Sequence, residues 1–175
     1  MESRWPIRIP AWTTWLLLAM FAVGCVSEEK KEPTPVPKVT LKWPGEPNET
    51  LLAGGYSVDF TIPGKRDRRF RCVVMRLTGK DDEAASPESL LDAWLKPGQK
   101  DETNRTNLEF GRHKYPAARL EYKTSGKDMK LQFQKRLIVI ADRVLFDLYV
   151  YSDDQAYLSD KEVTDFFNSL EIPEK

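Results

Sequence analysis

Between Pro116 and Ser152 three strand-like segments, the first alternating in polarity throughout and the second over its first half, are separated by two short breaks, and few folds can accommodate that pattern. "PAARLEYKT" sets Ala118, Leu120 and Tyr122 against Arg119, Glu121 and Lys123. A period of two sends successive side chains to opposite faces of a strand. "SGKD" then supplies a hairpin-type turn. "MKLQFQKRLIVIA" opens as alternation, with Met129, Leu131 and Phe133 opposite Lys130, Gln132 and Gln134, and becomes continuously apolar from Leu137 to Ala141. That change predicts a strand with one wet face at first and both faces covered later, where a helix or loop crosses it. Asp142-Arg143 turns the chain. "VLFDLYVYS" returns with Val144, Phe146, Leu148 and Val150 on one face and Leu145, Asp147, Tyr149 and Tyr151 on the other. Strands joined by tight turns pair antiparallel.

The flanking segments extend the same architecture. "GYSVDFTIPG" alternates Tyr56, Val58, Phe60 and Ile62 and stops at Pro63-Gly64, a turn pair. "RRFRCVVMRLTG" is the next strand, to about Leu77, and "KDDEAA" a polar loop. Ser86-Pro87-Glu88 marks a helix start, with Ser as N-cap and Pro at the first helical position. Leu90, Leu91, Trp94 and Leu95 form its apolar stripe, and Pro97-Gly98 ends it. "TNLEFGRHKY" reads as a strand with a bulge or bend at Gly111. Near the end, Ser159-Asp160-Lys161-Glu162 fits a capping box. Val163, Phe166, Phe167 and Leu170 follow at the spacing of a core-facing helical stripe. The order β-β-α-β-β-β-β-α predicts an α+β fold: a curved antiparallel β-sheet with helices packed on it.

The start of the chain is of another kind. Arg4 and Arg8 precede an uncharged stretch whose dense apolar part is Trp15 to Val23, and small residues then lead through Gly24 to Cys25. A positive n-region, an apolar h-region and a small-residue cleavage site make a secretory signal peptide. "AVGC" resembles the lipobox of bacterial lipoproteins, with Ala22 where Leu is commonest. That resemblance implies cleavage between Gly24 and Cys25 and acylation of the Cys25 thiol. Two or more acyl chains suffice for stable retention, at about 0.8 kcal/mol per buried methylene. The expected division is a signal peptide over residues 1–24, a lipidated Cys and tether over 25–50, and one domain over 51–175. Pro33, Pro35, Pro37, Pro44 and Pro47 favour extended backbone in the tether. Trp43 is out of place there, and packing back on the domain, lipid contact and partner contact are all open to it. Val26 rather than Asp follows the Cys, which leaves inner and outer membrane both open.

Over residues 51–173, "AGGYSVDFTIPGK", the antiparallel meander and the closing "DKEVTDFFNSLEI" resemble the PsbP-like/DcrB-like domains. The resemblance implies an α/β/α sandwich in an exported bacterial lipoprotein that binds or assists larger complexes and carries no catalytic motif.

The chemistry of the side chains agrees with that implication. Lys plus Arg and Asp plus Glu number 27 each, which gives no reason to expect a nucleic-acid partner. His113 is the only histidine, so multi-histidine metal sites are excluded. The phosphate-loop, dinucleotide, nucleophile-elbow and zinc-protease motifs are missing from the sequence. Cys72 reads as a buried, inert thiol and His113 as a surface or strand-edge residue; nothing in the sequence joins them. Asp81-Asp82-Glu83 and Asp153-Asp154 lack the spacing of a calcium loop. Lys65, Arg66, Arg68, Arg69 and Arg71 form the densest basic run and read as a charged hairpin, with lipid or an anionic polymer as the other use. Tyr149 and Tyr151 are the aromatic surface candidates. The expectation is a non-enzymatic lipoprotein with no cofactor or metal. It would be bound to a membrane of the cell envelope through acylated Cys25 and would bind or assist assembly of another envelope protein. The alternative is a receptor for a small ligand or metal ion.

Overall fold

The computed structural model describes residues 36–65, 67–78, 85–95, 101–125 and 131–173. The signal segment, Gly24, Cys25, Arg66, the acidic run at 81–83 and Met129 lie outside the described residues. Seven strands form one antiparallel sheet: β1 (Asn48–Leu52), β2 (Gly55–Thr61), β3 (Arg69–Arg76), β4 (Glu102–Phe110), β5 (Tyr115–Ser125), β6 (Leu131–Ala141) and β7 (Val144–Ser152). Their spatial order is β1-β2-β3-β7-β6-β5-β4. Two meanders, one before and one after the first helix, therefore meet along the β3–β7 seam. Helix α1 (Pro87–Trp94) lies in the connection that carries the chain from the centre to the far edge, and helix α2 (Lys161–Asn168) follows β7 through a single 3-10 turn, Ala156–Ser159.

Each face of the sheet has its own cover. On one face Phe70, Cys72, Val74, Leu137, Val139, Phe146, Leu148 and Val150 pack under α2, which contributes Val163, Phe166 and Phe167. On the other, Ala118, Leu120, Ile138, Ile140 and Leu145 pack under α1, which contributes Leu90 and Leu91. The apolar run from Leu137 to Ala141 thus divides its side chains between two cores, as the loss of alternation requires. Trp94, expected in the stripe of α1, sits at its margin and is 36% exposed.

The ends of the elements follow local chemistry. Ser86 caps α1 by accepting the Ser89 amide at 3.2 Å, with Pro87 at the first helical position. At α2 the expected capping box is not formed. Ser159 is consumed by the 3-10 turn, Asp160 is the N-cap without a side-chain bond, and Glu162 instead accepts the Tyr157 hydroxyl at 2.5 Å. Gly111 opens a four-residue turn at φ +69°, and the ladder irregularity of β4 falls between Glu102 and Asn104. Gly55 is dictated by space: a Cβ there would meet the Val74 carbonyl oxygen at 2.0 Å.

The boundary expected at residue 50 lies elsewhere. Val36, Val39, Leu41 and Trp43 pack against the α2-side core, and Thr40 bridges to Glu171. Trp43 meets Phe166 with ring centroids 5.0 Å apart. The chain then runs into β1, whose first three residues, Asn48 to Thr50, were expected in the tether. All five residues of β1 are exposed, so no burial pattern marked it as a strand.

Candidate functional site

On the α1 side of the sheet, beyond the helix, the register sets polar and aromatic side chains in rows. Asp59, Arg71, Tyr149 and Arg136 stand opposite one another across β2, β3, β7 and β6. The neighbouring row carries Arg69, Tyr151, Gln134 and Tyr122. Ser57 and Asp147 lie on the other side. Diagonal neighbours on one face are within reach of long side chains, and the contacts are diagonal as well as direct.

Two ion pairs organise the rows. Arg136 grips Asp147 in bidentate fashion, Nε to Oδ1 at 2.7 Å and Nη2 to Oδ2 at 2.5 Å. Their side chains are 17% and 6% exposed. Burial pulls the Arg136 guanidinium down, but the Asp147 bonds prevail and its pKa is raised overall. Arg71 pairs through Nε with Asp59 and donates through Nη1 to the Tyr149 hydroxyl at 2.9 Å. Asp59 also accepts from Ser57 at 3.0 Å. Tyr149 and Tyr151 meet edge to face at 5.1 Å. Burial raises the pKa of Tyr122, Tyr149 and Tyr151, so all three phenols remain neutral near pH 7. The cluster is a platform of paired charges and an edge-to-face tyrosine pair. It can recognise a polar surface, and it presents no activated nucleophile.

A concavity lies on the α2 side. It is a groove of about 220 Å³ lined by Glu121, Lys123, Phe133, Lys135, Gln155 and Leu158 among others. Lys135 Nζ donates to the Leu158 carbonyl at 3.3 Å, and the Lys123 ammonium stands 6.0 Å from the Phe133 ring centroid. Ligand pockets commonly start near 300 Å³.

The residues singled out by sequence fall as follows. Cys25 and Gly24 lie outside the described residues. Cys72 is fully buried in the middle of β3, and burial drives its thiol pKa well up. His113 is exposed on the β4–β5 turn, its ring 5.7 Å from Tyr115. Three strand spacings separate β3 from β5, so Cys72 and His113 do not meet. Asp154 is spent on a local turn, accepting the Ala156 amide at 3.0 Å, and on Arg68 at 3.4 Å. Among the described residues no three His, Cys, Asp or Glu side chains converge. The basic run disperses: Arg68 stacks 4.1 Å above the Tyr157 ring and Arg71 joins the platform, while Lys65 and Arg69 are exposed. Tyr149, expected at the surface, is only 9% exposed because Tyr151 and Arg71 pack about it. Asp59, Arg136 and Asp147 were not singled out. A carboxylate inside "VLFDLYVYS" was the visible signal for the last of them.

No family model and no curated protein matches the chain. Among solved structures it is similar to LpqN of Mycobacterium tuberculosis, a protein involved in cell envelope biogenesis, at 14% identity and a TM-score of 0.54, over 79% of this chain and 86% of that one. It also matches PA94 of Pseudomonas aeruginosa, a protein of unknown function described as a regulator, at 9% identity and a TM-score of 0.49, over 75% of this chain and 99% of that one. At such identities the likeness to LpqN concerns the fold.

Proposed function

We propose that this chain is an exported bacterial lipoprotein, anchored through acylated Cys25, whose PsbP-like domain binds or assists assembly of another envelope protein without catalysing a reaction. The platform of Asp59, Arg71, Tyr149, Tyr151, Arg136 and Asp147 carries the docking part of this reading. Tyr and Arg, paired before contact, supply binding area at small entropic cost. The lipobox sequence supports the anchor. The fold shared with LpqN, a protein of envelope biogenesis, supports the setting.

The test is in-cell crosslinking of the tagged, acylated protein, followed by capture from detergent extract and mass spectrometry. One reproducible envelope protein is expected, depleted by Cys25→Ser and by Tyr151→Ala. Capture unaffected by either change would count against the reading. The groove of about 220 Å³ is the observation that favours a receptor instead. A metabolite or metal ion that raises the melting temperature would support it, since binding to the native state alone is stabilising.

A further inference from the structure

Residues 36–43 form a strap along the α2-side core, and it begins beside Tyr56. Tyr56, near the start of β2, donates its hydroxyl to the Pro37 carbonyl at 3.1 Å and accepts the Val39 amide at 3.0 Å. Lys38 lies 4.5 Å over the same ring and pairs with Glu49. Directly across the ladder from Tyr56 is Leu51, and Leu52 faces Gly55 at the tip of the β1–β2 hairpin. Leu51 is 81% exposed and Leu52 41%. The two adjacent leucines project to opposite faces of an edge strand at its tip, and Leu51 gains little from the fold by being there.

The antiparallel topology gathers the β4–β5 and β6–β7 turns at this same end. The hairpin's Gly54 carbonyl accepts the Arg76 amide at 3.0 Å, and the Arg143 carbonyl accepts the Leu77 amide at 2.9 Å. Arg112, Lys114 and Arg143 are exposed on these turns, with Lys114 paired to Glu109 at 3.3 Å and Asp142 next to Arg143. The end is therefore apolar at one corner and basic along its rim. Basic groups near an anionic leaflet are attracted to it within about a Debye length.

The length of chain before the strap decides the occupant. Ten residues separate Cys25 from Val36. At about 3.3 Å per residue they reach at most about 35 Å. The reach is comparable with the width of the domain itself. An anchor at Cys25 thus confines the Val36 end of the sheet to the neighbourhood of the bilayer.

We propose that the β1–β2 hairpin tip is a membrane-contact element, with Leu51 and Leu52 entering the bilayer interface and the basic turns resting on anionic headgroups. This rests on the lipid-anchor reading, and it orients the platform sideways to the membrane rather than against it.

The experiment uses the full mature protein, reconstituted in vesicles of phosphatidylethanolamine with one quarter phosphatidylglycerol. An environment-sensitive nitrobenzoxadiazole probe is placed at Leu51→Cys or at Leu131→Cys. Leu131 is a matched control, 45% exposed at the start of β6 on the opposite end of the sheet. Blue-shifted emission and severalfold stronger quenching by spin-labelled lipid at position 51 than at 131 is the expected result. Equal, water-like emission at both positions overturns the proposal. Mass spectrometry of the Cys25 peptide reports the anchor separately. An unacylated Cys25 refutes the anchor reading, and the tip is then judged by the same pair of probes with vesicles added: a difference upholds it, equality rejects it.

Discussion

Trp43→Ala separates a packed strap from a solvated tether. Trp43 sits half-buried with its ring 5.0 Å from that of Phe166, which is fully buried and also meets Phe70 at 5.2 Å. A Trp side chain buries about 150–250 Å² when fully enclosed. At about 25 cal/mol per Å² that is roughly 5 kcal/mol, so half-burial corresponds to about 2 kcal/mol. Phe166→Leu trims the same contact from the other side at about 1–2 kcal/mol. The two substitutions should not add: an aromatic pair in contact couples by about 0.5–1.5 kcal/mol. The assay is urea unfolding in a Cys25→Ser background, followed by far-ultraviolet circular dichroism because the substitution removes a fluorophore. Trp43→Ala is expected to lower the midpoint without changing the slope. A loss below about 0.5 kcal/mol, the range of ordinary surface substitutions, together with strict additivity, would refute the packed strap and restore the tether boundary at residue 50.

Arg136→Met should cost about 3–5 kcal/mol by stranding the Asp147 carboxylate, and Arg136→Met with Asp147→Leu should recover most of it, since an apolar pair can replace a buried ion pair; chemical unfolding of the single and double variants decides. Cys72 should resist maleimide in the native state and react fully in urea, because the thiol is enclosed and burial raises its pKa; rapid native labelling would contradict its place in the core. Burial raises the Tyr56 pKa to about 12 from an ordinary 10.0 and raises Tyr122, Tyr149, Tyr151 and Tyr157 as well. Above about pH 10 the unfolded chain releases phenolic protons that the folded chain keeps, so stability falls as pH rises. Tyr56 alone accounts for about 2 kcal/mol by pH 12. Phenolate absorbance should rise late and together with loss of circular dichroism; early ionisation with the fold intact would contradict the burial. Arg143, at φ +62° in the two-residue β6–β7 turn, should give about 0.5–1 kcal/mol of added stability on replacement by Gly, read as a higher melting temperature.

What was legible in the sequence, and what was not, follows from how each contact is encoded. Five strands and both helices carry a buried stripe, and burial imposes a period that a sequence displays; β4 shows a weaker one through the half-buried Leu108 and Phe110. The strand β1 buries nothing: Asn48, Glu49, Thr50, Leu51 and Leu52 pair along one edge only, after Pro44 and Pro47, and nothing repeats. The platform shows the same division at the level of side chains. Arg136 and Asp147 flank the two-residue turn Asp142-Arg143, which fixes the register of β6 on β7 and places Arg136 opposite Tyr149 and diagonal to Asp147. That pair was derivable, given the turn and the rule that period-two neighbours share a face. Asp59 with Arg71 was not, because the β2–β3 connection is longer and closes through bonds from the Ile62 amide to the Arg68 carbonyl and from the Arg68 amide to the Lys65 carbonyl, which no short motif announces. Nor was Arg71 with Tyr149, a meeting across the seam between two meanders separated by α1 and three strands. The site is assembled where local register ends, at the β3–β7 seam. A substitution that shifts either meander by one residue would therefore dismantle the platform while leaving each hairpin intact, since a slip of one residue turns its side chains to the other face.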